Sequence, residues 1–317
     1  PAVVKGIVRL LKEEGYVQLS CGDSCGVGSA KKVMEGTGMD QMLEDYGVAI
    51  VDFNEGSTVS YPQGHTAKEF FLAKPVQETD ALINLCKMKT HALERVTGGV
   101  KNLYGCISGL HKAKGHTQYT NADIFARQLI DLNQLIKPRF CVMDGIVAMD
   151  GNGPTSGDPV KMKVLLLGND PVAIDSVYCH LVHLDPQMVP TNVHGETMGL
   201  GTWREENIRL LTDGGEITMQ EAVERFGNPD FNVDRKKQRA NLWNRFNNSF
   251  LRYFQKKPYI EADKCKKCGV CVEACPVEGK ALQFKNGRRK PPVYNYHKCI
   301  RCFCCQEMCP HKAIQVK

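Results

Sequence analysis

No apolar run in these 317 residues is long enough to cross a membrane, so a helical membrane span is not expected. No secretory signal is visible, so the 15 cysteines do not read as a disulfide framework. The dinucleotide fingerprint G-x-G-x-x-G is missing. Acid is scarce at one end: residues 235–317 carry 5 Asp and Glu against 20 Lys and Arg, whereas residues 1–234 carry 30 against 21. The net charge of +6 therefore hides a basic tail. No nucleic-acid recognition motif accompanies that charge, so nucleic acid is not the expected partner. Compensation of a negatively charged cofactor, together with docking on an acidic surface, with the chain's own first domain as one candidate, accounts for it instead.

What is abundant is cysteine in two ordered runs. Cys265, Cys268, Cys271 and Cys275-Pro276 read C-x2-C-x2-C-x3-C-P, and Cys299, Cys302, Cys305 and Cys309-Pro310 repeat it. Each run offers three thiolates on one tight loop, and the fourth, beside proline, reaches the other cluster. One [4Fe–4S] cluster is thus expected on Cys265, Cys268, Cys271 and Cys309, and a second on Cys299, Cys302, Cys305 and Cys275. Zinc is the competing reading, but zinc sites pair two C-x2-C knuckles rather than triple runs closed by Cys-Pro. Cys304 has the wrong spacing and is taken as a bystander. The other scattered cysteines suit a reducing compartment, taken as cytoplasmic. The pattern resembles the bacterial two-cluster ferredoxin module, over roughly residues 256–317.

The rest reads as α/β. Amphipathic spacing predicts a helix from Pro1 to Glu14, a strand from Tyr16 to Cys21, and helical structure onward to about Tyr46. Nearly continuous apolar runs predict strands over Val48–Phe53, Ala81–Leu85, Phe140–Met149, Val164–Leu167 and Ile208–Leu211. Helices are expected over Asn121–Ile136, with Ile124, Leu129, Leu132 and Leu135 or Ile136 inward, and over Pro171–Leu184 and Thr218–Phe226. Alternating strands and helices argue a largely parallel sheet. The expected organisation is an α/β domain over 1–230, an aromatic and basic linker over 231–255, and a small α+β ferredoxin-like domain over 256–317. Trp243 and Phe250 in the linker are expected to pack the two together. A hairpin turning at Asn286-Gly287 is expected between the cysteine runs.

Several polar, glycine-rich segments lie where strands end, which is where such sheets bind ligands. Gly22, Asp23 and Ser24 open the first, in which Cys21 and Cys25 are a metal or redox pair or simply two buried thiols. Lys87, Lys89 and His91 follow the Ala81–Leu85 strand. Gly98, Gly99, Lys101 and Asn102 come next, then His111 and His116. Asp144, Asp150 and Asn152 lie after the Phe140 strand. Lysines beside backbone amides suit a phosphate or carboxylate, so a small anionic ligand or unidentified cofactor is expected. Lys101, His91, His111 and His116 are the candidates for chemistry, the histidines by proton transfer or metal ligation. Asp170 is a helix cap.

The segments Lys87-Met-Lys-Thr-His91, Thr97-Gly-Gly-Val-Lys-Asn-Leu-Tyr-Gly105, Asp144-Gly-Ile through Met149-Asp-Gly-Asn-Gly-Pro-Thr155 and Asp170-Pro-Val-Ala-Ile-Asp175 resemble the DUF362 family. The resemblance runs over nearly the whole chain, and members often carry a C-terminal two-cluster ferredoxin. It implies fold and layout rather than a reaction. Cys25 stands where the family often has proline, and the chain starts inside the family's usual first region, so the N-terminus reads as incomplete. A fainter resemblance, at Gly98-Gly-Val-Lys101 and the following histidines, is to lactate racemase-like proteins, which bind a nickel-pincer nucleotide. Three functions follow. The first is a redox enzyme or subunit in which the clusters pass single electrons from a partner protein to a group in the α/β domain. The second is a non-catalytic carrier or docking subunit, and the third a cofactor-dependent isomerase. An enzyme requires a pocket lined by Lys87, Lys89, His91, Lys101, His111 and His116.

Overall fold

The structure is a computed structural model that describes residues 1–24, 29–108, 111–112, 115, 118–119, 121–236, 256–285 and 287–317. Helix α1 (Ala2–Glu13) turns Val4 and Val8 onto β1 (Ser20–Asp23), α2 (Ala30–Glu35), α3 (Met39–Asp45) and β2 (Ala49–Asp52), around Met34 and Leu43. β1 and β2 pair in parallel, from Ser20 opposite Ala49 to Asp23 opposite Asp52. The first strand therefore begins later than Tyr16. The helical stretch after it is broken: α2 stops at Gly36, and Gly38, with a φ of 66°, starts α3.

A hairpin of β3 (Gly56–Ser60) and β4 (Glu69–Ala73) follows, closed by α4 (Lys74–Glu78). Sequence patterning missed it, because β4 reads Glu-Phe-Phe-Leu-Ala with no alternation. Its loop is held from afar: the buried carboxylate of Asp131 accepts the amides of His65, Thr66 and Ala67 at 2.8, 2.7 and 2.8 Å. Such charge-assisted bonds offset the cost of burying a carboxylate.

The central sheet is built from β5 (Ile83–His91), β6 (Arg95–Thr97), β7 (Phe140–Asp150), β8 (Asp158–Val160) and β9 (Val164–Gly168), with α5 (Gly99–Asn102) and α6 (Ala122–Ile136) inserted between β6 and β7. Its strand order is β6-β5-β7-β8, with β9 also on β7. β5 and β7 run parallel, from Ile83 opposite Phe140 to Lys87 opposite Asp144. β6, β8 and β9 flank them antiparallel. Parallel pairing thus occupies the centre, and short antiparallel strands reached by simple turns make the flanks.

One face of the sheet is covered: Met88, Met143 and Val164 meet Tyr178 and Leu181 of α7 (Pro171–Leu181) and Phe231. On the opposite face Leu165 and Leu167 of β9 are exposed. A second core packs Val100 and Leu72 against Phe125, Leu129 and Leu132 of α6. Each such side chain contributes about 1.5–3 kcal/mol by burial. Ile124 is not among them: it is 36% exposed and Phe125 takes the inward place. Further on lie α8 (Pro190–Thr197), β10 (Leu210–Thr212), β11 (Gly215–Ile217) and α9 (Met219–Phe226). The strand expected at Ile208 pairs only with β11, in a hairpin off the main sheet.

The C-terminal module contains β12 (Pro258–Ile260), α10 (Val270–Glu273), β13 (Leu282–Gln283), β14 (Val293–Tyr294), α11 (Cys304–Glu307) and β15 (Ile314–Val316). β12 pairs with β15 and β13 with β14, both antiparallel. Asn286 of the expected turn, Cys25, His116, Trp243 and Phe250 lie outside the described residues. The ends of the stretch 237–255 meet at one carboxylate: Asp234 pairs with Arg95 at 3.3 Å and with Lys256. Arg95 also donates to the carbonyls of Asp234 and Lys236 at 2.7 and 3.0 Å. No helix among the described residues is long and apolar enough to cross a membrane.

Candidate iron–sulfur site and its docking surface

The two cysteine runs fold into short loops that each end in one helical turn, α10 and α11. Thiols thereby face two separate hollows. One is lined by Cys265, Cys268, Cys271 and Cys309, the other by Cys275, Cys299, Cys302 and Cys305. The fourth thiol of each run crosses to its neighbour's hollow. Electrostatics report the same grouping. Burial, then Cys309, Cys268 and Cys265, push Cys271 up to about 12. Burial raises Cys299 too, with Cys302 and Cys275 adding to it. Thiols this crowded ionise readily only when a cation neutralises them. No three metal-binding side chains among the described residues converge as a single ion requires; four thiols line each hollow. Sulfur-directed hydrogen bonds are in place as well. Ala281 N–H reaches Cys275 Sγ at 3.3 Å, Ala313 N–H reaches Cys309 Sγ at 3.3 Å, and Tyr294 Oη lies 3.2 Å from Cys305 Sγ. The donor sets fit two cubanes, whose potentials such bonds tune. Cys304 is buried and interacts with Cys302, outside both linings.

The Lys-x-Lys-Thr-His segment lies within β5 rather than in a loop after it. Period-2 geometry puts Lys87, Lys89 and His91 on one face, while Met88 enters the core. Lys87 meets its cross-strand neighbour Asp144 at 2.6 Å. Lys89 is largely buried; burial lowers its pKa, Asp23 opposes that, and Lys101 and Lys87 add to it. Lys101, on α5, also lies close enough to lower His91 and to act on the carboxylate of Glu94. Asp23, Lys87, Lys89, His91 and Lys101 therefore come together. Neither Lys89 nor Lys101 is ion-paired among the described residues. Glu94 is fully buried, and neither carboxylate oxygen has a hydrogen-bond partner among the described residues. Its burial raises it to about 8.

Other expected site residues serve structure. The amides of Gly99 and Val100 donate to Asp175 at 2.6 and 3.1 Å, so the glycine cradle already holds a carboxyl group, the chain's own, which burial pushes up to about 7. A Cβ on Gly98 would stand 2.1 Å from that carboxylate, which explains the glycine. Asn102 Nδ2 donates to Asn84 Oδ1 at 2.8 Å. Ser24 Oγ donates to Gly105 O at 2.6 Å and fastens its loop. Gly22 lies against Phe53 and Val51. His111 is exposed and stacks on Phe71 at 3.8 Å. Asp150 accepts the amide of Asn232 at 2.8 Å. A cleft between β1 and β5 has Asp23, Asn84 and Asn102 at its polar end, but its lining includes none of Lys87, Lys89, His91, Lys101 and His111.

The loop Asp150 to Gly157, read in the sequence as ligand-binding, meets the cysteine module. Gln306, fully buried on α11, donates to Asn152 O, Asn152 Oδ1 and Gly153 O at 2.9, 3.0 and 2.9 Å. Asn152 returns a bond to Ile314 O at 2.9 Å, Thr155 donates to Glu307 O at 2.7 Å, and Lys312 donates to Gly157 O at 3.2 Å. His91 joins them. Its Nδ1 accepts the amides of Leu93 and Glu94 at 3.2 and 3.0 Å, so the proton sits on Nε2, 2.9 Å from Glu307 Oε1. Both ring nitrogens are thus engaged, and burial keeps the ring neutral. Gln306, Glu307, Glu94 and Asp175 were not among the expected site residues. The partners of Gln306, Glu307 and Asp175 lie far away in the chain, and only the polar pair Gln306-Glu307 inside a cysteine run hints at a contact.

An α/β unit joined to a module of two four-thiol hollows defines an iron–sulfur electron-transfer protein. The chain belongs to the family described as a domain of unknown function, DUF362, whose model matches residues 1–180. A 4Fe-4S dicluster domain matches residues 257–310. Among curated proteins it is similar to the thylakoid-associated protein sll1697 of Synechocystis sp., with 35% identity over 220 residues, covering 69% of this chain and 68% of that protein.

Proposed function

We propose that the chain is a redox enzyme or redox subunit with two [4Fe–4S] clusters, one on Cys265, Cys268, Cys271 and Cys309, the other on Cys299, Cys302, Cys305 and Cys275. It makes single electrons available to an anionic group bound beside Lys89 and Lys101 in an α/β unit reaching to about residue 230. The observation that carries this reading is the crosswise lining of the two hollows, each by the four thiols that the spacing assigns to it. A cubane supplies one electron at a time and no proton. The protein's own groups do the rest. Gln306 and Asn152 fix the module against the sheet. Two neighbouring lysines repel each other, and a bound anion relieves that repulsion. His91 holds its proton toward Glu307 and orients the cysteine-bearing turn rather than acting as a free base.

A second reading, the non-catalytic carrier or docking subunit, is favoured by one observation: among the described residues, the lining of the cleft between β1 and β5 includes none of Lys87, Lys89, His91, Lys101 and His111. The isomerase reading gains no support, since Asp175 occupies the amides of its Gly-Gly-Val-Lys segment. Anaerobic reconstitution tests the proposal. Iron and acid-labile sulfide should each reach about eight per chain. Stoichiometric zinc with little iron would overturn it. Oxidation of the reduced protein by small phosphate- or carboxylate-bearing oxidants, lost in Lys101→Ala, separates the enzyme from the carrier.

A further inference from the structure

The two hollows differ in surroundings. The Cys299 hollow adjoins the turn that carries Gln306 and Glu307 against the α/β unit. The other opens outward: Cys268 is exposed, whereas the other seven cysteines of the two runs are buried or half-buried. No acid is among the residues that line that opening, whereas Lys266, Lys267 and His311 are. Lys267 Nζ donates to Arg289 O at 3.1 Å and so draws the Arg288–Lys290 segment over the rim. The Arg288 guanidinium is seated over the ring of Phe284 at 5.8 Å and against Gly269 of the cysteine loop. Among the described residues none of Lys266, Lys267, Arg288, Arg289 and Lys290 is ion-paired. Of the nearby acids, Glu261 is engaged with Lys264 at 2.6 Å.

Unpaired cations crowded around an exposed thiol make a field that attracts negative charge and orients it toward that thiol. We propose that the rim around Cys265, Cys268 and Cys271 is the docking face for an acidic one-electron carrier protein. The proposal rests on the reading of that hollow as a [4Fe–4S] site. One electron crosses per encounter: the donor loses it, the acceptor gains it, and no bond or proton is exchanged. An anionic membrane is the other acidic surface available. A membrane-surface element needs apolar anchors, and the exposed large apolar side chains of this module reduce to Val293 among the described residues. The redox centre at the middle of the patch favours a protein partner.

The test uses the anaerobically loaded full chain and a plant-type [2Fe–2S] ferredoxin as the acidic probe, with basic cytochrome c and phosphatidylglycerol vesicles as the other arms. Calorimetry should show binding of the ferredoxin that weakens as salt rises, and none of cytochrome c. Lys266→Glu/Arg289→Glu/Lys290→Glu should weaken it by on the order of tenfold or more. Single reversals should each weaken it less, and they decide the matter if the triple variant loses iron. Iron content and the electron paramagnetic resonance signal of dithionite-reduced protein report the clusters independently. Loss of those signals in the unaltered chain would fault the cluster reading, not the docking face. Undiminished ferredoxin binding by iron-replete variants, equal binding of cytochrome c, or capture by vesicles without ferredoxin binding would each overturn the proposal.

Discussion

Replacing Gln306 with leucine removes one amide from a fully buried position and leaves Asn152 O and Gly153 O facing an apolar side chain. A buried acceptor stripped of its donor costs about 1–3 kcal/mol. Two of them, partly relieved by relaxation, put the loss of docking stability at about 3 kcal/mol, which is roughly a hundredfold more frequent opening. Asn152→Ala acts from the other side without touching a cysteine run. It removes the bond to Ile314 O and one acceptor of Gln306, for about 2 kcal/mol, or roughly thirtyfold. Hydrogen exchange read by mass spectrometry on peptides spanning 150–158 and 304–316 measures both. Because the two residues bond each other, the double variant should fall short of the summed effects by about 1 kcal/mol. Wild-type exchange in both peptides for iron-replete Asn152→Ala, or strict additivity, would refute the account of the contact.

Glu94→Gln should flatten the pH dependence of stability. Burial raises the folded carboxyl to about 8 from an ordinary 4.5, so the fold keeps a proton that the unfolded chain releases. Stability is therefore lost as pH climbs from about 4.5 to about 8, and the amide variant should melt higher than the parent at pH 8 and little differently at pH 4.5. Lys101→Ala removes a positive neighbour from Lys89, whose pKa should rise toward the ordinary lysine value in a nuclear magnetic resonance titration of methylated protein. An unmoved Lys89 would show that the two cations do not share a site.

The grouping of the thiols was legible because spacing within each run puts three of them on one loop, and Cys275 and Cys309 swap by the geometry of the proline-flanked turn. The alternation of Lys87, Lys89 and His91 was present in the sequence too. Charge at every second position masked it as a loop, although period 2 puts all three on one strand face. Glycines at 98 and 99 look the same whether they receive a ligand's anion or the chain's own. The deciding residue, Asp175, is more than seventy positions away. Likewise Asn152 sits in a loop rich in glycine and polar side chains, but what the loop grips is a helix about 150 residues downstream. Local chemistry was readable; the identity of remote partners was not.

Asp234 holds both margins of the stretch 237–255 through Arg95 and Lys256, while Gln306, Asn152 and Thr155 fix orientation some distance off. A covalent connection between two parts raises the local concentration of one beside the other, and these contacts set their orientation. The same assembly is accessible to two separate polypeptides that carry these surfaces, with mass action in place of a tether. For a part that hands on electrons, detachability is a design freedom: an α/β unit of this kind can be matched with a different cluster-bearing partner, provided that partner presents a buried glutamine to the Asn152 loop.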